Sequence, residues 1–224
     1  MTPLRGLTVT AGLLAASAVL AACQDTTSDS DCYEPGGVAY PVHLTGDTTI
    51  TFRWPASYFP VRYWADPAGP TVQNVDASLN LWLGGLHCGE LSLQRVTDSL
   101  TADVVVLNPP FMPPVPPAGA AVFADSINAC QARTDIVLDA NDVLERPIHV
   151  YVVPFSVDSA EVNSCYRFVT AHEIGHTLGL LHHSSNAQDL MYHRPFRREL
   201  TTGDKYTVQL LYRVVNPTIP PEVR

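Results

Sequence analysis

The sequence predicts an α+β fold in which short strands and one amphipathic helix are followed by two further helices. Apolar residues alternate with polar ones in several short segments of the first two thirds of the chain, which is typical of strands. Towards the C terminus apolar residues recur at helical spacing, and a glycine at position 179 allows the chain to turn there. The mature part, about 200 residues, fits one domain.

The first predicted elements are strands with one helix between them. Strand patterns occur at 48–52, 61–64, 91–96, 102–107, 134–138 and 147–153. Val75, Leu79 and Trp82 recur at helical spacing, which predicts an amphipathic helix over 71–83. The proline-rich segment 109–117 is interpreted as a rigid surface loop, with a polyproline ligand as the alternative.

The N terminus has the features of an export signal. Residues 1–22 are interpreted as a lipoprotein signal peptide, because an apolar run of about 16 residues is too short to span a membrane. It ends in Leu-Ala-Ala-Cys, which resembles the bacterial lipobox and implies a lipid on Cys23; cleavage after residue 18 is the alternative. Residues 23–46 are expected to be a tether and 47–224 the domain, so the protein is expected to be lipid-anchored in the cell envelope, facing periplasm or extracellular space.

Five cysteines become four if Cys23 is acylated, and an even number in an exported protein indicates disulfides. The disulfide candidates are Cys32, Cys88, Cys130 and Cys165. Three pairings are open, and the working expectation joins Cys130 with Cys165 and Cys32 with Cys88. The net charge of −9 argues against nucleic acid and against an anionic membrane surface as partners. A monomer is expected, with membrane contact only through the lipid.

The most informative segment is a histidine-rich one in a helix expected to begin near residue 162. Residues 172–183 read His-Glu-Ile-Gly-His-Thr-Leu-Gly-Leu-Leu-His-His. Residues four apart share a helix face, so His172 and His176 can bind one metal ion. Glu173 lies beside this pair and can act as general base. Gly179 can end the helix and return a third histidine to the metal.

Together with Met191 and Tyr192 this segment resembles the metzincin zinc endopeptidases, and among them the matrixins. The segment 200–212 is similar to the C-terminal helix of matrixin catalytic domains. The resemblance implies a zincin-like fold, with a twisted mixed five-stranded sheet, two long helices and a small C-terminal subdomain. It also implies a Met-turn at Met191, a substrate pocket walled by Tyr192, and a cleft rim formed by the strand at 134–138.

The third metal ligand has two candidates. Counted from Gly179, His182 occupies the position of the third ligand. Counted back from Met191, His183 takes that place, which indicates one extra residue in the turn. Tight turn geometry favours His182. Calcium is a further candidate cofactor, with an acidic surface loop as the alternative, because four aspartates occur close together: Asp125, Asp135, Asp139 and Asp142.

These residues predict a zinc-dependent endopeptidase that hydrolyses peptide bonds of an extended peptide or protein substrate. In it, zinc activates a water molecule and Glu173 accepts the proton. The alternative is a non-enzymatic zinc-binding surface lipoprotein that keeps the peptidase fold as a binding module. A third class, hydrolysis of another amide, uses the same chemistry.

Overall fold

The structure is a computed structural model. It describes residues 39–42, 51–86, 88–116, 120–127, 129–139, 144–156 and 158–213. The predicted signal peptide, Cys23 and Cys32 lie outside these ranges, so the lipid anchor and the tether stay predictions. Within the described ranges, no helix is both long enough and apolar enough to cross a membrane.

The described residues form one mixed sheet with helices packed against it. The strands are β1 (Val61–Ala65), β2 (Leu93–Arg95), β3 (Val104–Leu107), β4 (Ala120–Ile127), β5 (Cys130–Val137) and β6 (Ile148–Pro154). The helices are α1 (Thr71–Leu83), α2 (Ser159–Thr177) and α3 (Thr202–Arg213). The sheet has six strands in the order β2-β1-β3-β6-β5-β4, one more than expected.

The centre of the sheet is parallel and its last three strands are antiparallel. β1 pairs with β2 and β3, and β3 with β6, all in parallel. β6 then pairs with β5, and β5 with β4, in antiparallel register. The central strand β3 contains three consecutive buried valines, Val104 to Val106, as expected of a strand covered on both faces.

The two long helices form one layer against this sheet. In α1 the predicted bounds are correct, and Val75, Leu79 and Trp82 are buried on one face. The α2 helix begins earlier than predicted, because Asp158 acts as its N-cap and accepts hydrogen bonds from the free N–H groups of Ala160 and Glu161 in the first turn.

Two strand predictions need correction. The described residues 51–55 are not a strand, although Phe52 lies fully buried in the core. The segment 134–138 is not an exposed rim strand, because residues 134–137 belong to β5, which lies between β4 and β6. Among the described strands, the one at the edge beside β5 is β4, which the sequence did not predict, since its alanines, aspartate and serine are weak strand formers.

One predicted disulfide is present. Cys130 at the start of β5 is bonded to Cys165 in α2, across a sequence separation of 35 residues. This bond confirms the expected Cys130–Cys165 pair and fastens α2 to the antiparallel half of the sheet. The Cys32–Cys88 pair stays a prediction, because Cys32 lies outside the described residues.

Candidate metal centre

The C-terminal half of α2 presents two histidines and a glutamate inside the protein. His172, Glu173 and His176 have no solvent exposure. The indole Nε1 of Trp82 in α1 donates to the carbonyl of Ala171 at 2.8 Å, which fixes α2 against α1 at the start of the motif. This half of α2 is therefore a rigid element, as a metal site requires.

Gly175 lets this part of α2 pack closely. A Cβ at this position would lie 2.4 Å from the Sδ of Met191 and 2.7 Å from a ring carbon of Trp82. The fully buried Met191 therefore packs directly beneath the helix that holds the histidines. The Met-turn that the resemblance implied at Met191 stays a prediction.

The turn after α2 explains which histidine returns to the site. Gly179 has φ of 98° and lies so close to the carbonyl of Phe52 that a Cβ would be 1.9 Å from its oxygen. Leu180 and Leu181 then both enter the core. Because two consecutive leucines are buried, the chain returns one residue later than expected, and His183 lies beside His172 and His176. The predicted third ligand, His182, is partly exposed and outside this group.

Backbone carbonyls orient the two α2 histidines. The Nδ1 of His172 lies 2.7 Å from the carbonyl oxygen of Leu190, and the Nδ1 of His176 lies 2.7 Å from that of Leu180. A carbonyl oxygen only accepts hydrogen bonds, so each Nδ1 carries a proton. In the neutral rings, each Nε2 then presents its lone pair to the site, as a metal-binding imidazole does.

Asp204 in α3 holds the segment that supports His172. Its carboxylate accepts hydrogen bonds from the backbone N–H groups of Leu190 at 2.8 Å and Met191 at 3.2 Å. The carbonyl of Leu190 in turn accepts from His172. The C-terminal helix therefore positions a site residue through one carboxylate, although it contributes no side chain to the donor group.

Four side chains converge on one point. The donor group consists of Asp125, His172, His176 and His183, whose ligand atoms all lie within 4.8 Å of one another. The two Nε2 atoms of His172 and His176 are 3.1 Å apart. Oδ2 of Asp125 is 3.2 Å from the Nε2 atoms of His172 and His183 and 3.9 Å from that of His176.

The charges of these groups depend strongly on one another. Burial raises the pKa of Asp125, but hydrogen bonds from the three histidines lower it by more, so that the net pKa is well below its usual range. Burial lowers the pKa of His172, and the hydrogen bond and charge of Asp125 outweigh it, so that the net pKa is raised. Burial lowers the pKa of His176 to about 4. The neutral form of His176 is the one that can bind a metal.

Glu173 lies beside the donor group with one oxygen available. Burial, with the charge of Asp125, raises the pKa of Glu173 to about 8. Its Oε2 accepts a hydrogen bond from the hydroxyl of Thr134 in β5 at 2.5 Å, whereas its buried Oε1 has no protein partner. A buried carboxylate oxygen without a partner is costly, and a water molecule at the site would satisfy it.

The donor group fits a divalent cation. When both rings are neutral with the proton on Nδ1, two Nε2 lone pairs face each other at 3.1 Å and repel, and a cation between them removes this repulsion. Tetrahedral zinc with Zn–N bonds of 2.0–2.1 Å places its ligand atoms about 3.3 Å apart. The 3.2 Å from Oδ2 of Asp125 to the Nε2 atoms of His172 and His183 is close to this value. So is the 3.1 Å between the Nε2 atoms of His172 and His176. A cation also favours the ionised carboxylates and the neutral imidazoles.

The other predicted residues lie around this group. Tyr192 is half-buried, and its ring lies tilted against that of His193 with centroids 4.1 Å apart. Its role in a substrate pocket stays a prediction. Of the aspartates considered for calcium, Asp125 belongs to the donor group with the three histidines. Asp135 forms an ion pair with Arg133 at 2.8 Å. Asp142 lies outside the described residues.

The sequence interpretation missed two residues of the site. Thr134 was expected to be on a rim strand, and Asp125 was considered only for calcium. Both come from strands distant in sequence from α2, so no spacing within the motif could have indicated them. A weak signal existed for Asp125, because it is the only acidic residue of β4 and follows the apolar Phe123 by two positions, on the same face of the strand.

A family model described as matrixin matches residues 114–213. The matched segment extends from before β4 to the end of α3, so it contains all four donor residues and Glu173. No curated protein matches the chain. The mixed sheet with its helices is consistent with the fold of that family.

Proposed function

We propose that this matrixin-like metallopeptidase domain is a zinc-dependent endopeptidase, with His172, His176 and His183 as metal ligands and Glu173 as general base. One observation carries the proposal. Three imidazoles converge beside a buried carboxylate whose Oε1 lacks a partner. Three protein ligands with a neighbouring base are typical of catalytic rather than structural zinc sites.

The donor types favour zinc. Imidazole nitrogen suits zinc, whereas calcium and magnesium prefer oxygen ligands throughout. When bound, zinc acts as a Lewis acid and lowers the pKa of a coordinated water to about 7. The carbonyls of Leu190 and Leu180 hold the His172 and His176 rings in the tautomer that ligation needs.

Glu173 supplies the proton transfers. Its Oε1 accepts the proton of the attacking water, and the protonated carboxyl then donates to the nitrogen of the leaving amine. The hydroxyl of Thr134 holds Oε2, so the carboxylate cannot rotate away from the site. The fully buried position of Glu173 raises its pKa, which makes it a stronger base than an exposed carboxylate.

We expect an extended peptide to bind along β4. Within the described residues β4 has a neighbouring strand on one side only, so its other edge can form main-chain hydrogen bonds with a substrate strand. Tyr192 follows Leu190, whose carbonyl orients His172, by two positions. It is proposed to line the pocket for a substrate side chain.

The cellular setting is proposed from the N-terminal sequence. A signal over 1–22, a lipid on Cys23 and a tether over 23–46 would hold the domain outside the cytoplasm. The disulfide between Cys130 and Cys165 supports an oxidising compartment. Substrates are then peptides or proteins of the envelope or its surroundings, and the domain acts as a monomer.

The test uses residues 24–224 produced with disulfide formation allowed. The protein should copurify with about one zinc, cleave an unfolded protein, and lose this activity with a chelator. Glu173→Gln should retain zinc and lose hydrolysis by at least about 100-fold, since general base catalysis contributes that much. Full hydrolysis by Glu173→Gln would rule out the mechanism.

A second function is favoured by one observation. Asp125 is a fourth donor, and zinc sites closed by four protein ligands are structural. The protein could then be a non-enzymatic zinc-binding surface lipoprotein. Stoichiometric zinc without cleavage, in the wild type and in a variant that lacks the Asp125 carboxylate, would support this second function.

A further inference from the structure

Asp125 faces the metal side of the histidines. A carboxylate can orient a metal-binding histidine without binding the metal itself. It then accepts a hydrogen bond from the ring nitrogen that does not bind the metal. In His172 and His176 that nitrogen, Nδ1, is already bonded to a backbone carbonyl. Oδ2 of Asp125 instead approaches the Nε2 atoms, which are the metal-binding ones.

The carboxylate of Asp125 is buried, and its ionic contacts are with the histidines of the donor group. Asp125 is 4% exposed, although it lies on the edge strand β4. Its ion pairs within the described residues are all with the three histidines, and none is with an arginine or lysine. A buried carboxylate needs a positive charge beside it, and a metal ion at the donor group supplies one.

We propose that Asp125 is a fourth metal ligand, which occupies the coordination position that a water must take for hydrolysis. This inference rests on the proposed function, and it adds a state in which Asp125 keeps water from the metal. With three histidines bound, zinc has one position left. Oδ2 lies 3.2 Å from two of the three Nε2 atoms, the spacing of the fourth corner of a tetrahedron.

The strand that carries Asp125 lies at an edge of the sheet. β4 is bonded to β5 alone among the described strands, in a hairpin that ends in the Ile127–Cys130 pair. Phe123, two residues earlier on the same face, stacks on the His176 ring with centroids 4.4 Å apart. Asp125 and Phe123 therefore cover the site together. A substrate strand that binds to the free edge of β4 acts on the strand that carries the blocking carboxylate.

The test is the access of a small anion to the metal. Co²⁺ replaces zinc in residues 24–224, and azide is added while the visible spectrum is recorded. The spectrum of the wild type should not change, because Asp125 fills the fourth position. That of Asp125→Ala should change on addition of azide. Asp76→Ala is the matched control, since Asp76 is a surface aspartate paired with Arg95 at 3.3 Å, and it should behave as the wild type.

Zinc affinity is the second measurement. In competition with a chromophoric chelator, Asp125→Ala and the isosteric Asp125→Asn should bind Zn²⁺ at least about 100-fold more weakly than the wild type, because removal of a ligand exceeds the effect of removing its supporting residues. At saturating zinc, Asp125→Ala should cleave an unfolded protein faster than the wild type. Slower cleavage by a variant with normal zinc content would overturn the blocking role.

The outcomes separate this inference from the proposed function. If azide changes the wild-type spectrum and the zinc affinities are equal, Asp125 is not a ligand, whether or not the protein cleaves peptides. If the spectra and affinities are as expected and no protein cleaves, the proposed function fails and the ligand assignment stands. Absence of metal binding in every protein would overturn both. The azide titration of the wild type needs no variant to fold.

Discussion

The hydroxyl of Thr134 donates to Oε2 of Glu173 at 2.5 Å and joins strand β5 to the proposed catalytic base. Both side chains are fully buried. Because β5 lies between two other strands, Thr134 is held more rigidly than a loop residue would be. The second oxygen of Glu173, Oε1, is buried and has no protein partner.

Removal of this hydroxyl should affect catalysis without affecting the metal. Thr134→Val keeps the shape of the side chain but frees Glu173 to rotate, so kcat should fall about tenfold, a fraction of the general base contribution. Zinc content should be unchanged, because Thr134 touches no ligand. Thr134→Ser restores the hydroxyl and should recover most of the rate. Equal kcat in the wild type and Thr134→Val would show that Glu173 does not need this bond.

The close approach at Gly175 should make this position sensitive to one methyl group. Gly175→Ala places a Cβ 2.4 Å from Sδ of Met191 and should lower the free energy of unfolding by about 1–3 kcal/mol. Urea unfolding of the metal-free protein measures this. Gly84→Ala is the matched control, because the nearest contact of its Cβ is 3.3 Å. A Gly175→Ala variant as stable as Gly84→Ala would contradict the packing described for Met191.

The disulfide should contribute a large share of stability. Replacing both Cys130 and Cys165 by serine opens a loop of 35 residues, which should cost about 3–4 kcal/mol on the chain-entropy estimate. Urea unfolding under non-reducing conditions is the measurement. A double variant that unfolds at the wild-type urea concentration would show that the bond is dispensable.

Stability should decrease in acid through Asp103. Burial raises the pKa of Asp103, but hydrogen bonds from Arg62 and Arg146 outweigh it, and the net pKa is lowered. A lowered folded-state pKa stabilises the protein above the unfolded-state pKa of about 3.9, and this stabilisation is lost as pH falls through the folded-state pKa. Asp103→Asn should therefore cost about 1.5–3 kcal/mol at pH 7 and much less near pH 3, as measured by urea unfolding at both pH values. A pH-independent difference would contradict the role of the charge.

The sequence predicted those parts of the molecule that depend on local spacing. The apolar stripe of α1 defines its bounds, and the i, i+4 relation places His172 and His176 on one helix face. The turn after Gly179 was beyond such reasoning, because the burial of both Leu180 and Leu181 depends on the core around them. Asp125 reaches the site through sheet pairing, which no short motif encodes.

The most direct test of this account is the zinc affinity of two neighbouring variants, His182→Ala and His183→Ala. The structure places His183 in the donor group and His182 outside it. His183→Ala should lose zinc and hydrolysis, with an affinity lower by at least about 100-fold, because removal of a ligand exceeds the effect of removing its supporting residues. His182→Ala should bind zinc and cleave as the wild type does. The reverse pattern, with zinc lost only in His182→Ala, would contradict the account.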